Sequence, residues 1–316
     1  MSVPLPTMDQ IRDAAARIAP YAVLTPVLRN AALDEMVGAQ LFFKCENLQR
    51  GGAFKFRGAC NAVWSLSDEE AARGVVTHSS GNHGNALALA AATRGIPAHV
   101  VVPEGAVLAK LEAIEKAGAI LHRCAATTAA REAKAAEVQQ ATGAILVHPY
   151  ANTQVMAGQG TAALELLRQA DGLDVLITPI GGGGLSSGSA IAAHGIDPTI
   201  KVFGAEPAGA DDTAQSLARG ARIDHFAANT ICDGLRTLVG ESNLEALHTH
   251  RVEVITVTDE ESIAAMRELW RSLKLVVEVS SATVFAAVLK QRERFAGKRV
   301  GLVLTGGNVD LDALPW

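Results

Sequence analysis

The chain has 316 residues, of which 49% are hydrophobic and 19% charged, a balance that excludes a disordered chain and predicts about two globular lobes. Its 28 basic and 33 acidic residues give a net charge of −5 without any Lys- or Arg-rich run, so we expect no nucleic-acid partner. The four cysteines form no Cys-x-x-Cys pair, which argues against a zinc knuckle or a redox motif.

The amino-terminal segment does not have the pattern of a secretory leader, because residues 1–6 contain no basic stretch followed by an apolar run. We therefore expect a cytoplasmic protein. Residues 175–196 are uncharged and long enough to span a bilayer, but Pro179, four glycines and several serines indicate a strand, a loop and a helix. We expect no membrane span.

Predicted helices and strands alternate along the chain. Thr7 and Gln10 form a capping-box pattern, and the apolar spacing that follows predicts a first helix that ends before Pro20. Strands are predicted at 74–77, 98–102, 120–121, 145–147, 174–178, 201–203, 252–257 and 300–304. Helices are predicted at 86–93, 107–117, 128–140, 154–169, 185–193 and 260–273. Repeated units of this kind bury their strands on both faces, so we expect parallel sheets covered by helices.

The most informative loop follows the strand predicted at 174–178 and contains Gly181, Gly182, Gly183 and Gly184. Because these residues have no side chains, their backbone N–H groups can converge on one anion, and the helix behind them adds its positive end. The spacing fits neither the dinucleotide fingerprint nor the P-loop pattern. A flexible turn is the alternative, but it would not need four glycines. This glycine loop therefore predicts a phosphate site.

A lysine stands between two aromatic residues in Phe54-Lys55-Phe56, at the start of a helical pattern. Apolar surroundings lower the pKa of a lysine, and a neutral amine forms Schiff bases. The alternative is a surface lysine whose apolar stem covers its neighbours. The segment alone does not decide between the two.

Two more loops follow predicted strands. Residues 77–84 read Thr-His-Ser-Ser-Gly-Asn-His-Gly, and such a turn offers donors to a carboxylate, the alternative being an ordinary helix cap. Thr305 follows the last predicted strand and brings a hydroxyl to the same edge of the sheet. A phosphate site, a Schiff-base lysine and a carboxylate-sized turn together describe a site for pyridoxal 5′-phosphate and an amino acid.

With these motifs the chain resembles the fold-type II pyridoxal-phosphate enzymes along nearly its whole length, and within them the serine racemase and serine/threonine dehydratase family. The motifs occur in the family's order at residues 54–58, 79–84, 181–184 and 305–308. The resemblance implies an α/β fold of the tryptophan synthase β type, with two lobes that each hold a helix-covered, mostly parallel sheet. It also implies a large cofactor-binding domain of residues 1–73 and 152–316, a small mobile domain of residues 74–151, and a homodimer.

The resemblance further implies a role for each site residue. Lys55 would carry the cofactor covalently, with Phe54 packed beside the ring. Asn82 would hydrogen-bond the phenolic oxygen, and Thr305 would face the pyridine nitrogen. The residues that would bind the phosphate are Gly181, Gly182, Gly183, Gly184 and Leu185. The residues that would receive the substrate carboxylate are Ser79, Ser80, Gly81, Asn82 and His83.

The activity implied is α,β-elimination of L-serine, L-threonine or L-threo-3-hydroxyaspartate to a 2-oxo acid and ammonia, with Lys55 removing the Cα proton. In the serine racemase branch, the second acid–base group is the serine that corresponds to Ser80, where biosynthetic threonine dehydratases usually carry alanine. Ser80 therefore favours a dual serine racemase and dehydratase, or a related 3-hydroxyaspartate dehydratase, and an enzyme that is primarily a serine racemase is the alternative. A spectator serine or a helix cap is an equal alternative.

A divalent-cation site is also implied by the resemblance. It would use the carboxylates of Glu206 and Asp212 and the carbonyl of Ala210, a set of hard oxygens that suits Mg²⁺, Ca²⁺ or Mn²⁺. The alternative is that the acidic residues open a helix at Asp211, where negative charge is favourable in any case.

Two other functions are weighed against this one. A β-replacement enzyme of the cysteine synthase type is less favoured, because His83 stands where those enzymes usually have threonine. A protein that binds the cofactor without turnover is disfavoured by the presence of Lys55, Ser80 and Asn82 together with the glycine loop.

Three positions bear on substrate choice. After Glu278 the chain reads Val-Ser-Ser-Ala, where the family commonly has Pro-Ser/Thr-Ala-Gly, so fine specificity is open. Tyr150 occupies a position that varies in the family and borders the substrate side chain. Arg131 matches a family arginine that is able to meet a second carboxylate, the alternative being an exposed helical arginine.

Overall fold

The computed structural model describes residues 3–106 and 108–316, so Val107, where a helix is predicted to begin, and the first two residues of the amino-terminal segment lie outside the described residues. The strands are β1 (Val27–Leu28), β2 (Gln40–Cys45), β3 (Val75–Thr77), β4 (Ala98–Pro103), β5 (Ile120–Cys124), β6 (Ile145–Leu146), β7 (Val175–Pro179), β8 (Lys201–Pro207), β9 (Glu253–Val257) and β10 (Arg299–Leu304). The helices are α1 (Met8–Ile18), α2 (Ala31–Val37), α3 (Lys55–Trp64), α4 (Asp68–Ala72), α5 (Asn82–Arg94), α6 (Leu108–Lys116), α7 (Thr128–Thr142), α8 (Thr153–Gln169), α9 (Gly184–Ile196), α10 (Asp212–Arg219), α11 (Glu241–Thr249), α12 (Asp259–Leu273), α13 (Val279–Lys290) and α14 (Arg292–Phe295).

The described strands form two sheets. The larger has the order β1-β2-β10-β7-β8-β9, and its edge strand β1 runs antiparallel to β2 while the other neighbours are parallel. The smaller has the order β5-β4-β3-β6 and all its described pairings are parallel. The predicted α/β fold with helix-covered, mostly parallel sheets is confirmed.

Several predicted elements begin and end close to the expected residues. Thr7 and Gln10 form the predicted capping box, and α1 ends at Ile18. Residues 175–196 divide into β7, a loop and α9, as predicted. Among the described residues, the helices are all too short or too polar to cross a membrane.

The periodicity did not predict the strands β1 and β2 or the helices α2, α4, α11, α13 and α14. Strand β1 has two residues, too few to show a pattern. Helix α13 is buried on all sides over residues 280–288, so it presents no polar face and no helical periodicity. Burial in the centre of the protein therefore removed the signal on which the prediction depends.

The strands of the larger sheet are buried on both faces. In β2, Leu41 and Phe43 pack with α12 and α13, whereas Phe42 packs with α8 and α9. In β7, Ile177 packs with α12 and α13, whereas Leu176 packs with α8 and α9. This alternation is the two-residue period of a strand, with helices covering both sides. The loops that follow the carboxyl ends of the strands are left as the accessible edge.

A buried charge network holds α3 in place. The Arg57 guanidinium, fully buried, donates to both oxygens of Glu46 at 2.7 and 2.8 Å and to both oxygens of Glu165 at 2.7 Å. Lys44 Nζ donates to Glu165 at 2.6 Å. Burial alone would raise the pKa of Glu46, but the Arg57 charge outweighs burial and lowers it. The network joins α3, which begins at Lys55, to β2 and α8.

We expect Arg57→Met to lower the free energy of unfolding by about 3–5 kcal/mol, because it leaves two carboxylates without their buried partner. Equilibrium urea unfolding followed by tryptophan fluorescence measures the loss. Lys116→Met is the matched control, since Lys116 and Glu112 form an exposed pair on α6, worth about 1 kcal/mol or less. Equal losses in the two variants would contradict the assignment of a stabilising network.

Candidate active site

The glycine loop connects β7 to α9 and has no room for side chains. A Cβ atom on Gly182 would lie 2.2 Å from the Tyr150 ring, and one on Gly183 would lie 2.7 Å from Asn243 Cβ. Gly183 also has a positive φ of 89°, which favours glycine. The amino terminus of α9 begins in this loop, so its free N–H groups and the helix dipole favour an anion there. The geometry fits a phosphate group.

Lys55 is placed at the start of α3 with its amine enclosed by protein. Its Nζ donates to the carbonyl oxygen of Pro149 at 3.3 Å and lies 5.0 Å from the centre of the Phe54 ring. Desolvation lowers the pKa of Lys55 to about 8, and the negative charge of Glu278 opposes this shift. An amine of this kind is partly neutral near pH 8 and therefore nucleophilic.

The residues predicted to bind the cofactor line one cavity. Its wall also includes Tyr150, Gly234 and Glu278. The predicted residues that line it are Phe54, Lys55, Gly181, Gly182, Gly183, Gly184, Leu185 and Thr305. Asn82 lies outside this lining, but it is hydrogen-bonded to Glu278, which belongs to it.

The polar turn, residues 79–83, lines an adjoining cavity of about 400 Å³. Lys55, Tyr150, Gly234 and Thr237 line both cavities, so the lysine lies between the glycine loop and the polar turn. The turn is tight, because a Cβ atom on Gly84 would lie 1.9 Å from the carbonyl oxygen of Ser79. The structure thus brings together all the residues predicted to bind the substrate.

His83, in the polar turn, is buried and uncharged. Its Nε2 lies 3.2 Å from the carbonyl oxygen of Val147, which can only accept, so Nε2 carries the proton. Desolvation lowers the pKa of His83 well below its usual value, and the nearby charge of Lys55 lowers it further. Nδ1 is buried without a hydrogen-bond partner among the described residues. His83 therefore presents its Nδ1 atom as a hydrogen-bond acceptor in the polar turn.

Charged side chains surround the opening of the second cavity. Lys110 forms an ion pair with Asp233. Arg131 Nη2 donates to Thr128 Oγ1 at 3.1 Å, while its Nε is buried and has no partner among the described residues. Such an arginine has donors left for an anionic group in the cavity.

Glu278 is a site residue that the sequence reasoning did not assign. It lies immediately before α13, and both of its carboxylate oxygens accept from Asn82 Nδ2, at 3.1 and 3.2 Å. Burial, together with the negative charge of Asp233, raises the pKa of Glu278 to about 7. The available signal was a single acidic residue within the apolar run Leu-Val-Val-Glu-Val, where a charge needs a partner.

The predicted metal ligands are brought together at the end of β8. Glu206 is fully buried and accepts from the backbone N–H groups of Thr213 and Ala214 at 3.2 and 2.9 Å. Asp212 Oδ2 accepts from Val239 N at 2.8 Å, whereas Oδ1 is buried without a partner among the described residues.

Burial raises the pKa of Glu206 to about 8 and that of Asp212 to about 6. Ala210 lies in the 3-10 turn between these two residues. Within the described ranges, no group of three or more His, Cys, Asp or Glu side chains is arranged to hold a metal ion. A cation here would have two carboxylates and depend on backbone or water oxygens for the rest of its ligands.

Comparison with known proteins agrees with this geometry. A family model described as "Pyridoxal-phosphate dependent enzyme" matches residues 18–306. The chain is 48% identical to a serine racemase of Dictyostelium discoideum, over 98% of this chain and 96% of that protein. It is 46% identical to a beta-hydroxyaspartate dehydratase of Paracoccus denitrificans, over 99% of each.

Among solved structures, the fold is similar to that of maize serine racemase, with a TM-score of 0.96 and 45% identity over 98% of this chain and 95% of that one. The family match, the identity over the full length and the shared fold lead to one conclusion: the chain belongs to the pyridoxal-phosphate dependent enzymes of fold type II.

Proposed function

We propose that this enzyme catalyses α,β-elimination of small hydroxy-amino acids to a 2-oxo acid and ammonia, together with racemisation of serine. The observation that carries the proposal is the position of Lys55 between the glycine loop and the polar turn. A lysine amine between a phosphate site and a carboxylate site fits an amino acid held at the cofactor. The names of the relatives, serine racemase and beta-hydroxyaspartate dehydratase, support the same two activities.

The residues fit pyridoxal phosphate. The glycine loop and the amide of Leu185 would bind its phosphate, and Lys55 would hold it covalently. Phe54 would pack beside the ring, Asn82 would donate to the phenolic oxygen and Thr305 would face the ring nitrogen. When bound, the cofactor supplies an electron sink that stabilises negative charge at Cα.

Side chains of the protein carry out the proton transfers. The polar turn holds the substrate carboxylate and directs the Cα–H bond toward Lys55, whose pKa of about 8 suits an amine that takes up a proton near neutral pH. Loss of this proton is followed by departure of the β-hydroxyl group, which leaves as water by taking the proton that Lys55 removed from Cα. Addition of water and release of ammonia then give the 2-oxo acid.

We expect Lys55→Ala to lose the visible absorbance of the bound cofactor and to reduce 2-oxo acid formation by at least about a hundredfold, because the variant has no amine to hold the cofactor or accept the proton. Absorbance spectra and a 2-oxo acid assay check both effects. Lys290→Ala is the control, since Lys290 is an exposed lysine paired with Glu261. A Lys55→Ala enzyme that keeps both properties would refute the assignment.

Racemisation needs a second acid–base group that returns a proton to Cα from the face opposite Lys55. Ser80 supports this role, because it lines the same cavity as Lys55 but belongs to the polar turn. Elimination does not need this group, since no proton is returned to Cα from the opposite face. The two activities should therefore respond differently to loss of the Ser80 hydroxyl.

We expect Ser80→Ala to reduce D-serine formation from L-serine by about a hundredfold while pyruvate formation is retained. Measuring both products in the same reaction gives an internal control for folding and cofactor content. An unchanged ratio of D-serine to pyruvate would show that Ser80 is a spectator.

The substrate class follows from the charges at the opening. The free donors of Arg131 support a substrate with a second carboxylate, as in L-threo-3-hydroxyaspartate, alongside L-serine and L-threonine. Incubation with each of the three, with 2-oxo acid and D-serine measured together, ranks them. Sulfide-dependent cysteine formation from O-acetylserine would favour β-replacement instead, and binding without turnover would favour a sensor.

We further propose the division into a large domain of residues 1–73 and 152–316 and a small mobile domain of residues 74–151. The smaller sheet, β3 to β6, lies entirely within the second range. The Lys110–Asp233 pair joins the two domains at the opening, and both side chains are partly exposed, so the contact is weak and able to break.

A cytoplasmic homodimer completes the proposal. Val23, Leu48 and Val276 are 42, 47 and 44% exposed. They lie on one part of the surface, because Gln49 bonds to the backbone of Val23 and Asn47 bonds to the backbone of Val276. This apolar patch suits contact with a second copy of the chain, which light scattering of the purified protein tests.

The proposed cation site uses Glu206, Asp212 and the Ala210 carbonyl, with Mg²⁺, Ca²⁺ or Mn²⁺ as the ion. Its support is the partnerless Oδ1 of Asp212 and the burial of both carboxyl groups. Such a cation would compensate two buried negative charges at the end of β8 and the start of α10. Its role would be structural rather than catalytic.

We expect a chelator to lower both the melting temperature and the rate of 2-oxo acid formation, and Mg²⁺ to restore them, because a cation that binds only the folded protein stabilises it and compensates the charge of two buried carboxyl groups. Thermal melts and activity assays with and without chelator measure this. Asp212→Asn should abolish the response, whereas Asp211→Asn, at the neighbouring acidic residue, should keep it. Indifference of the wild-type enzyme to chelator would contradict the site.

A further inference from the structure

We propose that Glu278 is a positioning residue that fixes the orientation of the Asn82 amide, so that Asn82 presents its N–H side to the cofactor. This inference rests on the proposed function, because it is there that Asn82 is assigned to the phenolic oxygen of the ring. Neither residue needs to move for the arrangement to form, since the hydrogen bonds between them are present in the structure.

A chain of hydrogen bonds determines which end of the amide faces Glu278. This series of hydrogen bonds starts at the backbone carbonyl oxygen of Gly51, which can only accept a hydrogen bond. Asn308 Nδ2 donates to this oxygen at 2.8 Å and also to Asn82 Oδ1 at 2.9 Å. The Nδ2 group of Asn82 must therefore point toward the Glu278 carboxylate. This orientation follows from the hydrogen bonds and does not depend on the initial assignment of the amide nitrogen and oxygen atoms.

The Glu278 carboxylate, at the end of this series of hydrogen bonds, must be ionised to fix the orientation of the Asn82 amide. It accepts only, so it is compatible with Asn82 Nδ2 and not with Asn82 Oδ1. A neutral acid or an amide can also donate, and would allow the flipped orientation. With one N–H held by Glu278, the second N–H of Asn82 is free for an oxygen of the cofactor.

The fold holds the carboxylate close to the protein backbone. Glu278 N donates to the carbonyl oxygen of Gly306 at 2.9 Å. A Cβ atom on Gly306 would lie 2.6 Å from Glu278 Oε1, so a side chain at this position would displace the carboxylate from its place beside the loop after β10. The 7% exposure of Glu278 shows how little solvent reaches it.

The same carboxylate acts on the reactive amine. Desolvation lowers the pKa of Lys55, and the charge of Glu278 opposes it. His83 and His148 also face Lys55, but burial keeps both uncharged near neutral pH, with the pKa of His148 lowered to about 4. Asp233 and Lys110 face Glu278 with opposite effects on its pKa. Loss of the Glu278 charge should therefore lower the pKa of Lys55.

The test uses the full-length protein stripped of cofactor, in wild-type, Glu278→Gln and Glu278→Asp forms. Two quantities are measured: the dissociation constant of added pyridoxal phosphate, and the pKa of Lys55 from the pH dependence of its labelling by a small aldehyde trapped with borohydride. We expect Glu278→Gln to weaken cofactor binding about tenfold. We expect it to lower the pKa of Lys55 by about one unit. Glu278→Asp keeps the negative charge, so the pKa of Lys55 in this variant should be close to its wild-type value.

Two further variants separate positioning from general damage. Asn308→Ala removes the donor to Asn82 and leaves the Glu278 charge in place, so cofactor binding should weaken while the pKa of Lys55 stays unchanged. It also tests the proposal if Glu278→Gln fails to fold. Glu253→Gln removes an exposed carboxylate on β9 that is paired with Arg294, and should change neither quantity.

The outcomes distinguish this inference from the proposed function. Wild-type cofactor affinity and an unchanged pKa of Lys55 in Glu278→Gln would overturn the positioning role while leaving the enzyme assignment intact. Full cofactor affinity in Asn308→Ala would overturn the hydrogen-bond chain. A wild-type protein that does not bind pyridoxal phosphate through Lys55 would instead refute the proposed function itself.

Discussion

The desolvation of one amine is the constraint on which the rest of the structure depends. Lys55 must be partly neutral near physiological pH and must also stay in place while a charged substrate enters. Protein atoms around the amine lower its pKa to about 8. The Arg57 network holds the first turn of α3, from which the Lys55 side chain extends. Helix α3 thus carries both the lysine and, two residues later, the buried guanidinium of Arg57. The residue that stabilises the fold therefore also holds the helix turn that bears the amine.

The site lies where the two sheets meet at the carboxyl ends of their strands. The larger sheet supplies the glycine loop after β7 and Thr305 after β10, and the smaller sheet supplies the polar turn after β3. The contacts that cross between these parts include Asn82 with Glu278, whose carboxylate is buried, and Lys110 with Asp233, whose side chains are partly exposed. The first defines the geometry, and the second is weak enough to open.

The local parts of the site could be predicted from sequence, and the long-range parts could not. The glycine loop and Lys55 each carry their signal within a few consecutive residues, next to predicted strands and helices. The partner of Asn82 is 196 residues away in the chain, at the start of α13, whose complete burial hides its periodicity. Glu278 was therefore visible as a lone acidic residue among apolar neighbours, but nothing in the sequence said what it would contact.

Buried charge in this protein falls into two classes, according to what supplies the opposite charge. Glu46 and Glu165 are neutralised by Arg57 and Lys44, so that network is complete within the chain and serves stability. By contrast, His83 in the polar turn and Asp212 each keep a buried atom without a hydrogen-bond partner among the described residues, and the glycine loop opens the amino terminus of α9 with no side-chain cap. We propose that a ligand completes each site of the second kind: a phosphate, a carboxylate and a cation. Glu278 stands between the classes, because Asn82 donates to its carboxylate within the protein, while its negative charge also raises the pKa of Lys55.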